Sequence, residues 1–104
     1  MLEAQLQAVV DPTRREILKL AAEAPLSAGE IAARFQMSRP AVSQHLKVLR
    51  DAGLIRVRPE GTRRLYTTNR GALLSLFEEL DDYWSLGLMR LKRVAERKAR
   101  GEGK

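Results

Sequence analysis

At 104 residues, 44% hydrophobic and 31% charged, the chain has the size and composition of one ordinary globular domain, which excludes two independent cores and wholesale disorder. It holds no cysteine and a single histidine, so disulfides, thiolate metal sites, thiol nucleophiles and multi-histidine cages are excluded together. A net charge of +6 and a pI near 10.3 point to a polyanionic partner before any motif is read.

Residues 2–10 place Leu2, Leu6, Val9 and Val10 on one stripe of a short helix. Asp11 as N-cap and Pro12 at the first helical position restart the chain as a second helix over about 12–23. That helix turns Ile17, Leu18 and Leu20 toward a core and Arg14, Arg15 and Lys19 more outward, and Pro25 closes it. Ser27 and Glu30 form a capping box, each side chain satisfying a free backbone N–H, and open a third helix over about 27–35 that buries Ile31, Ala32 and Phe35. Ser38 caps a fourth helix over 38–51, ended by Gly53. A connection of about three residues between the third and fourth helices leaves room only for a tight turn, which predicts a helix-turn-helix. Residues 54–58 and 63–68 alternate apolar with polar around turn chemistry at 59–62, the pattern of a β-hairpin. One long helical pattern then runs over 71–99, carrying Leu73, Phe77, Leu80, Trp84, Leu88, Leu91 and Ala95 at three- and four-residue steps. No run of about 18 apolar residues occurs and the first residues lack a signal pattern, so a soluble, cytoplasmic chain without membrane association is expected.

The charge is unevenly spread. Residues 39–70 carry Arg39, Lys47, Arg50, Arg56, Arg58, Arg63, Arg64 and Arg70 against only Asp51 and Glu60. An acidic block follows, with Glu78, Glu79, Asp81 and Asp82, and then a second basic block from Arg90 onward. The last block reads as a solvated helix end. The central one falls on the fourth helix and the hairpin directly after it, which an ordinary solvated face explains less well.

Within the fourth helix, Val42, Leu46 and Leu49 share an inward face. The opposite face presents Ser38, Arg39, Pro40, Ser43, Gln44 and Lys47, short polar side chains near a helix N-terminus with cations around them, as major-groove reading needs. Arg39 can fork onto guanine, Gln44 onto adenine, and Ser43 can serve a base or a phosphate. His45, beside the apolar stripe, is counted with the DNA-binding residues of this helix, as a packing or phosphate-contacting side chain rather than a metal ligand or a catalytic base. In the hairpin, Arg56 and Arg58 share one strand face, and Thr62, Arg63 and Arg64 sit at or leave the tip, suited to phosphate contact or minor-groove insertion. Charge on an edge hairpin also protects against aggregation, and the two roles are compatible. No Gly-rich phosphate loop, nucleophile elbow or acid/base pair in a plausible pocket occurs, so no enzyme, cofactor or metal site is expected.

Residues 11–18, 26–32, 37–55 and 61–66 (DPTRREIL, LSAGEIA, MSRPAVSQHLKVLRDAGLI and GTRRLY) together resemble the ArsR-type winged-helix transcriptional repressors. The resemblance implies a homodimeric DNA-binding protein that represses a promoter and is released by a signal. Its best-known members sense metals through a Cys-x-Cys pair, and here those two positions hold Ser27 and Gly29; others use carboxylates and histidines of the last helix, where this chain has Asp81, Asp82 and Glu96 without histidine. The chain is therefore similar to a cysteine-free, non-metal-sensing branch, Asp81 and Asp82 read as a solvated acidic patch, and no inducer is inferred.

The last helix is longer than a compact domain of this size needs, and its apolar set, widened by Leu74, Leu76, Tyr83, Leu86, Met89 and Val94, exceeds one stripe. A second copy of the chain is the economical partner, with Leu2, Leu6, Leu80, Tyr83, Trp84, Leu88 and Leu91 at the interface. The expected fold is mainly α with a small β-hairpin: a single winged helix-turn-helix domain over 1–104, with a DNA-binding core at 11–70, dimerisation helices at 1–10 and 71–99, and a tail at 100–104. The expected function is sequence-specific binding of double-stranded DNA at an imperfect inverted repeat, through the helix at 38–51 and the wing at 54–68, by a homodimeric repressor. A winged-helix module that binds an acidic protein, or a non-specific nucleic-acid binder, stays open as the alternative.

Overall fold

The computed structural model describes residues 2–101, so most of the expected tail at 100–104 lies outside the described residues. The elements in chain order are α1 (Leu2–Val10), α2 (Pro12–Glu23), β1 (Leu26–Ser27), α3 (Ala28–Phe35), α4 (Arg39–Asp51), β2 (Ile55–Glu60), β3 (Arg63–Thr68) and α5 (Arg70–Ala99). They pack as two compact units that divide between Leu73 and Leu74. Helices dominate, with one small antiparallel sheet.

In the first unit, each helix begins where its capping chemistry says it should. The Asp11 carboxylate accepts the Arg14 N–H at 3.1 Å, with Pro12 occupying a position whose N–H would be unsatisfied anyway. That backbone bond holds the Asp11 carboxyl below its ordinary pKa. Ser27 Oγ accepts the Glu30 N–H at 3.2 Å while Glu30 Oε1 accepts the Ser27 N–H at 3.1 Å, completing the capping box. Three residues then separate α3 from α4, with Gln36 in the left-handed conformation (φ 53°) to turn the chain.

The core of this unit gathers Ile17, Leu18 and Ala21 from α2, Ile31 and Ala32 from α3, and Val42, Leu46 and Leu49 from α4. Leu54, Ile55, Leu65 and Tyr66 close it from the sheet side. Leu20 and Phe35, read as core from their spacing, are half-buried. Burial of a Leu or Ile side chain at such positions contributes about 1.5–3 kcal/mol each.

The hairpin has a third member that the sequence reading did not include. The two residues of β1 pair antiparallel with β3, Leu26 opposite Tyr66 and Ser27 opposite Leu65, so the strand order is β1-β3-β2. Across the hairpin Glu60 faces Arg63, leaving a two-residue loop in which Gly61 takes φ +62°. Such a loop favours glycine at its first position because a Cβ is disfavoured there.

Two further corrections concern α1. Its buried residue is Ala8, while Val10, placed on the inner stripe by spacing, is 72% exposed. A small side chain lets α1 approach the α2 and α4 helices against which it packs. Arg14, read as outward, is instead half-buried because it caps the end of α1: its Nε donates to the Ala8 carbonyl at 2.7 Å and its Nη2 to the Gln7 carbonyl at 2.9 Å. Arg15 Nη1 reaches the Val9 and Val10 carbonyls at 2.7 and 2.9 Å. The final turn of α1 has no basic residue of its own, and two guanidiniums from the next helix satisfy its orphan carbonyls and oppose its dipole.

The second unit consists of α5 beyond Leu73. No helix among the described residues is long and apolar enough to cross a membrane. Leu74, Phe77, Tyr83, Trp84, Leu86, Leu88, Met89, Leu91 and Val94 are large apolar side chains left at least 47% exposed.

One buried hydrogen bond ties the sheet to α2: Thr68 Oγ1 donates to the Leu18 carbonyl at 2.6 Å. Thr68→Val preserves shape and removes that donor, and is expected to cost about 1 kcal/mol of stability, read as a lower urea midpoint at unchanged slope.

Candidate nucleic-acid interface

The fourth helix meets solvent with the face that its sequence assigns to recognition. Ser38 Oγ accepts the Ala41 N–H at 3.3 Å, and Pro40 sits in the first turn, where its missing N–H is no loss. Val42, Leu46 and Leu49 are buried, and Ser38, Arg39, Pro40, Ser43, Gln44 and Lys47 are exposed. Lys47 reaches Asp51 one turn on, Nζ to Oδ2 at 2.8 Å, an exposed pair of small energetic weight. The buried face fixes the helix on the body, so the polar face is held out by packing rather than by its own interactions.

His45 is half-buried, its Nδ1 3.4 Å from Arg14 Nη1. A guanidinium can only donate, so in this contact Nδ1 is placed as the acceptor. The imidazole thus packs against the residue that caps α1. No group of three or more His, Asp or Glu among the described residues can hold a metal ion.

The wing side chains assigned from sequence are all exposed: Arg56 and Arg58 on β2, Thr62 in the loop, Arg63 and Arg64 on β3. Ile55 and Val57 alternate with the β2 arginines on the inner side. Between α4 and the wing runs a trough. Its upper part, a groove of about 400 Å³, is lined by Ser27 and Gly29 of the α3 start, Arg39 and Ser43 of α4, and Thr62, Arg63, Arg64 and Tyr66 of the wing. A second groove of about 440 Å³ continues past Ser43, Arg64 and Tyr66 to Lys47, Arg50 and Asp51. The two grooves share Ser43, Arg64 and Tyr66, so α4 and the wing together present a channel lined by Arg39, Lys47, Arg50, Arg63 and Arg64 against Asp51, with the hydroxyls of Ser27, Ser43, Thr62 and Tyr66 among them. A polyanion backbone suits such a channel, and a helix flanking it suits a base-lined groove.

Sequence reasoning missed two features of this channel. The N-terminus of α3 forms part of its wall, and a Cβ at Gly29 would meet the Arg39 guanidinium at 3.3 Å, so the bare glycine leaves room for that side chain. Glu30 also reaches the wing: its Oε1 lies 3.4 Å from Arg63 Nη1. Bonds from the Ser27 backbone N–H and hydroxyl, with Arg63 beside it, keep the Glu30 carboxyl below its ordinary pKa. Glu60 adds contacts of 3.8 Å to Arg58 and 4.0 Å to Arg63. The capping box signals Glu30, but only the β1–β3 pairing, invisible in local pattern, brings it to the wing.

Of the residues assigned to a dimer contact, Tyr83, Trp84, Leu88 and Leu91 are 53–72% exposed, whereas Leu2, Leu6 and Leu80 are half-buried within the chain.

Comparison with known proteins bears on what such a channel does. Residues 11–57 match the family described as bacterial regulatory protein, arsR family. The HTH-type transcriptional regulator Rv2034 of Mycobacterium tuberculosis is 49% identical over 82 residues, covering 79% of this chain and 77% of the relative. The transcriptional repressor SdpR of Bacillus subtilis is 39% identical over 67 residues, covering 64% of this chain and 74% of that protein. Among solved structures, the homodimeric winged helix-turn-helix DNA-binding domain (fragment 1–100) of Mb0332 from Mycobacterium bovis superposes with a TM-score of 0.66 at 28% identity, covering 77% of each chain.

The cap at Ser38 orients the turn that carries Arg39 and Pro40. Ser38→Ala is expected to lower stability by about 1 kcal/mol, and Ser38→Asn to restore most of it, both measured by urea unfolding.

Proposed function

Because the chain belongs to the arsR family of bacterial regulatory proteins, we propose that it is a sequence-specific, double-stranded-DNA-binding transcriptional regulator acting as a homodimeric repressor on an imperfect inverted repeat. The observation that carries this reading is the channel between α4 and the wing, with Arg39, Lys47, Arg63 and Arg64 along its walls and Ser43 and Gln44 on the exposed helix face. In this reading α4 enters a major groove, where Gln44 and Ser43 meet base edges and Ser38, Arg39 and Lys47 meet bases or flanking phosphates. His45 holds the helix on its Arg14 support. The wing, with Arg56, Arg58, Thr62, Arg63 and Arg64, tracks the backbone alongside and supplies most of the salt-dependent affinity.

The division of labour along the chain follows. Residues 11–70 are the DNA-binding core, and α1 and α5 are the dimerisation helices. The exposed apolar side chains of α5, which include Tyr83 and Trp84, are supplied with a surface by a second copy, as the homodimeric state of the Mb0332 domain supports. A twofold dimer presents two recognition helices about one DNA turn, roughly 34 Å, apart. Such a regulator works in the cytoplasm. With serine and glycine at positions 27 and 29 and no cysteine anywhere, its control does not run through thiolate metal binding. A protein-interaction module built on the same faces is less favoured, since relatives over most of the chain are named as transcriptional regulators.

Selection of bound sites from a random duplex pool, followed by mobility shift at about 150 mM salt, tests the reading. Palindromic selected sites, bound about 10³-fold or more tightly than bulk DNA, are expected; equal affinity for all duplexes, or none, overturns it. Gln44→Ala is expected to relax preference at one position per half-site by about 1–3 kcal/mol. Arg64→Ala is expected to weaken every duplex alike and to reduce the magnitude of the salt slope by about 1 per half-site. For the dimer, Trp84→Glu with Leu88→Glu is expected to give a monomer in sedimentation that still folds and has lost tight operator binding.

A further inference from the structure

The wing is less cationic than its sequence implies, because two of its arginines are already answered by carboxylates. Arg58, Glu60, Arg63 and Glu30 form a chain of alternating charge, with contacts of 3.8, 4.0 and 3.4 Å. Arg56 and Arg64 make no ion pair among the described residues. Glu30 differs from Glu60 in how it is held. Its Oε1 accepts the Ser27 N–H at 3.1 Å within the capping box, so the carboxylate that faces Arg63 is pinned to the start of α3 rather than swinging on a wing tip. The site it occupies, at a helix N-terminus and against an arginine on the wall of the cationic groove, is one where an anionic phosphate oxygen would also be stabilised.

We infer that Glu30 competes with the DNA backbone for Arg63, so that this chain binds any duplex more weakly than its cationic face alone would dictate. Arg63 exchanges one partner for another on docking: it leaves the Glu30 carboxylate and takes a phosphate. The exchange is paid on every sequence alike, because it involves no base, and it holds down the sequence-independent attraction that would otherwise spread the protein along bulk DNA. Before docking, the same pair keeps the Arg63 guanidinium on the groove wall. Glu30 is thus a positioning residue that sets affinity through Arg63 and touches no base. The inference rests on the reading of the channel as a DNA interface.

Glu30→Gln separates the charge from the cap, since glutamine at this position still completes a capping box. The experiment measures dissociation constants of the full chain for a labelled random-sequence 30-base-pair duplex at about 150 mM salt, for wild type, Glu30→Gln, Arg63→Ala and the double variant, with a thermal melt of each. Glu30→Gln is expected to melt close to wild type and to bind about two- to fivefold more tightly, the weight of one exposed charge partner removed from a phosphate contact. In the Arg63→Ala background the same substitution is expected to give no gain. Unchanged or weaker binding by Glu30→Gln, or an equal gain without Arg63, overturns the inference and leaves the DNA-binding reading standing. Absence of duplex binding by the wild type removes that reading and the inference with it.

Discussion

Two residues hold the functional surface in register. Leu26 and Ser27 pair with the middle of β3, and through that short bridge the N-terminus of α3 is fixed beside the wing. Ser27 serves three structures at once: it is a strand residue, the N-cap of α3 and part of the groove wall. Leu26, buried next to it, anchors the pairing in the core. A hairpin of two strands alone is marginal in water, and its tip would wander relative to α4. With the third strand and the Thr68 bond to α2, the wing becomes part of the body, and the distance between its arginines and the recognition helix is set by packing.

That constraint explains what was and was not legible in the amino-acid sequence. Helix starts were legible because a cap is a local contract: Asp11, Ser27 and Ser38 each satisfy an N–H three residues on, and the structure places each helix within a residue of its expected start. The hairpin was legible because alternation and a glycine turn are also local. Strand β1 was not, since two residues carry no periodicity and their partners lie about 40 positions away. Arg14 was misread for a related reason. Periodicity sees which side of α2 a residue occupies, and cannot see that the carbonyl end of α1 comes to rest against that side. Val10 was misassigned because hydrophobic spacing credits the larger side chain, whereas close approach of helices is decided by the smaller one, here Ala8.

The exposure of the face proposed for recognition followed from composition and spacing together: its residues are exposed because Val42, Leu46 and Leu49 are not. What spacing did not supply was the counter-charge. A census of arginines in residues 39–70 overstates the field at the wing, since Glu30 comes from outside that window and lies 33 positions from its partner. Net charge along a chain is a poor proxy for net charge across a surface wherever strand pairing folds distant segments onto one another, and nucleic-acid affinity responds to the surface.

The two units meet different physical demands. The first buries most of its large apolar side chains within itself, Val10 and Val48 apart, and turns most of its polar and cationic ones outward. The segment of α5 past Leu73 buries Leu76 but leaves Tyr83, Trp84 and Leu91 more than 60% exposed, following an acidic stretch of Glu78, Glu79, Asp81 and Asp82. An isolated helix that exposes so much apolar area gains little from its length. In the proposed homodimer, pairing of two such helices removes this apolar surface from water.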